Sequence, residues 1–257
     1  MFWIKFPIFA SRYNSRGMLL KTEGIVLGVS SYSDAYSIAR VFTRDFGRVS
    51  YLLPKSRGRK AKIKPSLFFP LSLLRMEVEH MPARDVQRLK ETERLVPLYD
   101  LCTHMTKVSL AFFLSEFLSY VLRESDRNEL TFDYVRNSIE TLEVTEKGLA
   151  NFHLAFMVGL TRFLGIYPNM ERSVGADYFD LLHGEYVTRA PAHNHYLKRG
   201  EGGYLHLLQR MTYHNMHRFR LSRDDRNLIV NHLLQYYRLH LYDFPPLKSL
   251  DVLRELG

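Results

Sequence analysis

TEGIVLGVSSYSDAYSIARVFTRDFGRVSYLLP, Thr22 to Pro54, holds three short apolar, β-branched runs: TEGIVLGV (Thr22–Val29), YSIARVFT (Tyr36–Thr43) and RVSYLLP (Arg48–Pro54). The clusters SYSD and RDFG part them, and such Ser, Asp and Gly groupings between runs of this length mark turns between strands. Two more strand-like runs lie downstream, LSLLRMEVEH (Leu71–His80) and DVQRLKETERLV (Asp85–Val96), joined at MPAR. Five strands in about 80 residues, with no long helix between them, predict a small closed barrel, because closure leaves few open edges. A five-stranded barrel of this kind is of the OB type, an architecture whose sheet face and loops commonly bind oligonucleotides.

After Pro97 the period changes. LYDLCTHMTKVSLAFFLSEFLSYVLRE places Val108, Ala111, Phe112, Ser115, Leu118 and Leu122 on one face at helical spacing, a core stripe. Two more helices are predicted, over Leu130–Leu142 after SDRN and over Leu149–Leu164 before Gly165 and Pro168. The aromatic stripe Phe152, Phe156, Leu160 and Phe163 reads as core. Residues 171–203 interrupt the helices with a loop-rich insert, and a small hairpin turning at His183-Gly184 is expected there. Helices resume in GYLHLLQRMTYHN, over Arg223–Leu241 behind the capping-box spacing Ser222 to Asp225, and again from Ser249. The whole is an α+β chain. Its expected division is a barrel over 18–97 and a helical domain with its insert over 98–257, with residues 1–17 as a disordered upstream extension. MFWIKFPIF is too short an apolar stretch, interrupted by Lys5 and Pro7, to read as a secretory signal. No run of eighteen apolar residues predicts a spanning helix.

The net charge of +9 is uneven. Residues 1–97 carry 18 Lys and Arg against 8 Asp and Glu, whereas residues 98–257 carry 18 against 19. The barrel half is therefore the polyanion-facing half. Its densest segment is KSRGRKAKIK, in which Lys55, Arg57, Arg59, Lys60, Lys62 and Lys64 follow one another with no acidic residue. Arg40, Arg44 and Arg48 flank the preceding turn. Lysine and arginine at such density release counterions from phosphates. Tyr32, Tyr36, Phe42, Phe46 and Tyr51 interleave with these charges and could stack on bases, though alternation turns only half of them outward. Tyr51 is the stacking candidate within the set. A second basic cluster, Arg210, Arg218, Arg220, Arg223 and Arg226 with His214 and His217, is a secondary candidate diluted by Asp224 and Asp225.

The chemistry of catalysis is thin by comparison. Cys102 is the one cysteine, so no internal disulfide or cysteine metal cluster can form, and a reducing, intracellular setting fits. At the start of an apolar helix it is expected to be buried and inert. His183, His193 and His195 could offer nitrogen ligands, but their spacing follows no common zinc motif, and exposed loop histidines are the expectation. Asp177, Asp180 and Glu185 scatter without a nuclease pattern. Neither a phosphate-binding glycine loop nor a nucleophile elbow occurs. The residues point to a binding protein, with no catalytic residue, no metal and no cofactor expected.

TEGIVL (Thr22–Leu27), Tyr32-Ser-Asp34, Phe42-Thr43, Phe46-Gly47-Arg48 and Lys55-Ser-Arg57-Gly58 resemble the N-terminal pattern of RecO, the bacterial recombination-mediator family. FLGIYP (Phe163–Pro168) is similar to the end of that family's central helix. The tail YYRLHLYDFPPLKSLDVLREL (Tyr236–Leu256) resembles that of its Bacteroides-group members. The resemblance covers the chain from Met18 onward. It implies binding of single- and double-stranded DNA, strand annealing, and loading of RecA together with RecR on DNA coated by the single-strand-binding protein SSB. Contact of the helical domain with the acidic, apolar tail of SSB and a cytoplasmic, nucleoid-associated location are implied too. Many members carry a four-cysteine zinc ribbon after the segment matching Tyr167-Pro168. Here ERSVGADYFDLLHGEYV has no cysteine, so zinc is not expected. An RNA-binding OB module shares every electrostatic feature and remains the alternative.

Overall fold

Strand β1 (Met18–Ser31) is long enough to serve two neighbours. Its first half pairs antiparallel with β4 (Leu73–His80), from Met18 opposite His80 to Ile25 opposite Leu73. Its second half pairs with β2 (Tyr36–Thr43), from Gly24 opposite Thr43 to Ser31 opposite Ser37, with a bulge between Val26 and Gly28. Gly24 carries both partners, and a Cβ there would lie 2.6 Å from Val41 Cγ1 and 2.7 Å from Met76 Cε, so only glycine fits the crossing. Strand β3 (Gly47–Pro54) follows β2 as a hairpin, and β5 (Val86–Arg94) follows β4. Ser50–Leu52 of β3 run parallel to Val86–Arg88 of β5, closing the barrel in the order β1-β2-β3-β5-β4. The computed structural model describes residues 18–55, 62–122, 127–171, 175–241 and 243–254. The extension expected over 1–17 lies outside them, as do Arg57, Arg59 and Lys60.

The barrel has two apolar faces at β1 and β2, which explains the unbroken run Ile25-Val26-Leu27. Val26, Ala39, Val41, Tyr51, Met76, Val78 and Leu89 fill the interior. Ile25, Leu27, Phe42 and Leu73 point the other way, into the core of the helical part. At ~1.5–3 kcal/mol per fully buried apolar side chain, this second face ties barrel and helices into one body.

The helical part is built on α2 (Met105–Val121) and α4 (Leu149–Phe163), each buried on most of its circumference. Helix α3 (Glu129–Val144) begins at Asn128, whose side chain accepts the Thr131 N–H at 3.0 Å. Helix α7 (Arg223–His240) starts with the expected capping box: Ser222 Oγ accepts the Asp225 N–H at 3.1 Å, and Asp225 Oδ2 accepts the Ser222 N–H at 3.0 Å. Phe117 meets Tyr237 edge to face at 4.9 Å, and the Tyr237 hydroxyl donates to the Met157 carbonyl. The stripe of α4 is core at Phe152, Phe156 and Leu160, while Phe163 stays partly exposed.

Three local expectations are corrected. The first helix is broken: α1 (Tyr99–Thr103) ends at His104, and its first N–H groups, Asp100 and Leu101, are capped by the Glu143 carboxylate. Cys102 lies on the outer side of this short helix and is exposed, not buried. Downstream of the insert, α5 (Arg199–Gly202) and α6 (Leu205–Arg210) are followed by a turn where a longer helix is predicted. Asn215 ends α6, its side chain donating to the Arg210 carbonyl at 2.9 Å and accepting the Thr212 N–H at 2.8 Å. The chain closes with α8 (Leu250–Arg254).

The insert contains the expected hairpin, β6 (Tyr178–Asp180) and β7 (Glu185–Val187), together with an unforeseen third strand, β8 (Tyr196–Lys198), on the other side of β6. Gly184 makes the turn at φ +68°, and its N–H donates to the Asp180 carbonyl. Among the described residues, no helix is long and apolar enough to cross a membrane.

Candidate nucleic-acid interface

The β1–β2 turn and the start of the basic segment are bolted together. Lys55 N–H donates to the Ala35 carbonyl at 2.9 Å, and Lys55 Nζ donates to Ser31 Oγ at 3.0 Å and to the Ser33 carbonyl at 2.6 Å. Tyr32, in the turn, is 66% exposed, and Tyr36, opposite Pro54, is 40% exposed. Two open aromatic faces thus stand beside the point where the basic segment leaves the barrel. The chain returns at Lys62, whose carbonyl accepts the Thr92 N–H and whose exposed ammonium lies 3.4 Å from Glu91. Lys64 is exposed immediately before the short 3-10 turn Pro65–Leu67.

Arg40, Arg44 and Arg48 belong to a different surface. They lie on the barrel face that meets the helices. Arg44 Nη2 is 2.6 Å from Asp133 and its Nε is 3.2 Å from Glu23, while its guanidinium sits 4.7 Å above the Phe132 ring. Arg136 completes the network with a contact to Glu23 at 3.1 Å. Arg48 Nη1 donates to the Ser119 carbonyl at 3.4 Å. Arg40 lies over Gly28 in a groove between barrel and helices, and its shielded Nε has no hydrogen-bond partner among the described residues.

Tyr51 as a stacking platform is corrected. It pairs across the ladder with Ala39, and both point into the barrel, where Tyr51 is fully buried. Burial pushes its phenol well above the ordinary range. The cross-strand partner held the signal: with Arg40 facing outward, Ala39 and its partner face inward. Phe42 is core, packed 5.7 Å from Phe132, and Phe46 stacks on His80 at 4.2 Å. The aromatics left for bases are Tyr32 and Tyr36, which sit in and beside a turn.

In the second cluster Arg210, Arg218, Arg220 and Arg223 are exposed, with His214 and His217. A Cβ on Gly148 would lie 2.8 Å from the His217 backbone, so this loop packs on the entry to α4 and brings exposed Lys147 beside the cluster. Arg226 is partly buried, donates to the Leu221 carbonyl at 2.8 Å, and is held below the usual guanidinium range by that burial.

The histidines are only partly loop-exposed. Asp180 is buried, and its Oδ2 faces His183 Nδ1 at 2.8 Å and His193 Nε2 at 3.3 Å, a grouping whose three donor atoms lie within 4.8 Å of one another. Oδ1 accepts the Leu182 and His183 N–H groups. The His195 N–H donates to His193 Nδ1, so a neutral His193 carries its proton on Nε2, toward Asp180. Hydrogen bonds therefore satisfy the cluster, and a four-thiolate zinc ion finds no donor set in a module without cysteine. Asp177 pairs with Arg199 and Asp180 with the histidines, so the carboxylates do not gather as a nuclease centre would require.

Residues 18–97 match the family model "Recombination protein O N terminal", and residues 102–251 match "Recombination protein O C terminal". Among curated proteins, the chain is 43% identical over 239 residues to "DNA repair protein RecO" of Phocaeicola vulgatus, covering 93% of this chain and 99% of that one. It is 40% identical, with the same coverage, to the protein of that name in Azobacteroides pseudotrichonymphae, and 41% identical over 240 residues to that of Bacteroides fragilis. A five-stranded barrel leading into helices, matched over 93% of the chain by relatives of one name, places the molecule: the chain belongs to the RecO family of DNA repair proteins.

Proposed function

We propose that the protein is a non-enzymatic recombination mediator, which binds single- and double-stranded DNA and anneals complementary strands. Working with RecR, it loads RecA onto DNA coated by SSB, whose acidic tail contacts the helical domain, and it does so at the nucleoid in the cytoplasm. The observation that carries the DNA-binding part is the hairpin tip. There, Tyr32 and Tyr36 stand exposed beside Lys55, at the mouth of a segment with six cationic residues in ten. Cations tracking a backbone with aromatic faces for bases are the usual means of holding a single strand. Neutralising two strands at once lowers the repulsion that opposes annealing.

The test is annealing of two complementary labelled oligonucleotides, with wild type and with Lys55, Arg57, Arg59, Lys60, Lys62 and Lys64 changed to Ala. Annealing by wild type and its loss in the folded variant support the reading. No acceleration by wild type contradicts it. Competition by a matched RNA stronger than by DNA would move the assignment to RNA metabolism.

A further inference from the structure

A groove of about 860 Å³ runs between the barrel and the helical part; Arg40 lines it, and so does Phe112, which is exposed and not part of the core stripe its spacing predicts. Leu27, Val29 and Arg40 form one wall, Phe112 of α2 forms the other, and Lys248 and Val252 at the start of α8 form the end. Three apolar residues of its lining are exposed: Phe112 at 48%, Val29 at 42% and Val252 at 52%. Phe112 is flanked along α2 by fully buried Ala111 and Phe113, and its ring is braced edge-on by Phe69 at 5.8 Å.

The charged residues lining the groove are Arg40, Lys248 and Glu116, a balance of one positive charge. The two carboxylate oxygens of Glu116 accept the Lys248 and Ser249 N–H groups at 3.0 and 2.8 Å. Among the described residues Arg40 keeps a shielded Nε with no partner, an arrangement that costs free energy, and Lys248 is exposed. Val29, in the groove's lining, stands three residues from Tyr32 on the same strand and turn, a span of about 10 Å.

We infer that this groove is a second binding segment for single-stranded nucleic acid, taking the strand on from the hairpin tip. Phe112 faces a base, and Arg40 and Lys248 take the backbone phosphates. The inference rests on the nucleic-acid reading of the tip. An anionic chain carrying flat apolar groups meets both halves of the groove's chemistry, and the nearness of Val29 to Tyr32 favours a strand over an acidic protein tail.

The test uses the full chain with Trp3→Phe and Phe112→Trp, which leaves one indole, in the groove. It is titrated with a twenty-residue polythymidine and, separately, with an acidic peptide ending in apolar residues. Binding of the labelled oligonucleotide is measured alongside for Phe112→Ala and Lys248→Ala. Saturable quenching by the oligonucleotide, with an affinity about tenfold lower in Phe112→Ala and a smaller loss in Lys248→Ala, is the expected result. Oligonucleotide binding with an unperturbed indole and unchanged variants overturns the groove while leaving the tip intact. Response to the peptide alone also overturns it, in favour of a protein partner. Failure of every form, wild type included, to bind the oligonucleotide removes the reading beneath it.

Discussion

Tyr51 and Tyr32 are both tyrosines close to the basic segment, and they should behave in opposite ways. The Tyr51 hydroxyl is buried without a hydrogen-bond partner among the described residues, so Tyr51→Phe removes an unmet polar group. Its effect on stability should be neutral or favourable by about 1 kcal/mol in denaturant unfolding, with DNA affinity unchanged. Tyr32→Ala should leave stability alone and weaken single-strand binding by ~1–3 kcal/mol. Arg44→Ala strips partners from Glu23, Asp133 and Phe132, so the expected loss is one of stability, ~1–3 kcal/mol, with no change in the salt dependence of binding. His153 adds a pH signature. Burial pulls its imidazole down to about 3, against 6.5 when free, so the unfolded chain takes up a proton that the folded one refuses. Stability should fall as pH drops from about 6.5 toward about 3, by up to ~4 kcal/mol, and His153→Leu should flatten that slope in urea melts taken at several pH values.

At the level of strands and helices, Gly184 fixes the insert. A Cβ there would lie 2.7 Å from the Tyr236 hydroxyl, and the backbone is left-handed, so Gly184→Ala should destabilise the small sheet by about 1–2 kcal/mol, read by hydrogen exchange at Phe179. The same sheet has a pH window. Burial alone would raise the Asp180 carboxyl, but His183 and the backbone N–H groups of His183 and Leu182 outweigh it and hold it below 3.8. Its hydrogen bond to Asp180 raises His183 above 6.5. The His183 contribution is full below about pH 6.5 and is lost as pH rises through the folded value. That of Asp180 is full above about pH 4 and is lost as pH falls through its own. Exchange protection in the sheet should therefore be greatest between those limits, and His183→Asn should abolish the alkaline decline. The barrel strands were legible because alternation and turn clusters are local signals, and the capping box of α7 was legible for the same reason. The third strand of the insert was not, since YLK is three residues long and exists by pairing with β6. The start of α1 was hidden because the Glu143 carboxylate that caps it comes from a helix 42 residues away.

Across the whole molecule, the positive charge of the barrel half divides by surface. Arg40 of β2, Arg44 of the turn after it and Arg48 of β3 read as neighbours of the basic segment, yet they stand on the barrel face turned toward the helices, where Arg44 and Arg48 meet protein acceptors and Arg40 lines the groove. Composition announces that a half is cationic, and only packing decides which cations remain available to a polyanion. The tip with Lys55, Lys62 and Lys64 keeps its charges outward. The most direct measurement of the central claim is the affinity for a labelled single-stranded oligonucleotide at several salt concentrations, for wild type and for the chain with all six cations of KSRGRKAKIK changed to Ala. Each lost phosphate contact lowers the log–log slope by about 0.7, so the account predicts a slope flatter by about two units or more, with the fold intact. An unchanged slope and affinity would contradict it, and the segment would then be no more than a solvated loop.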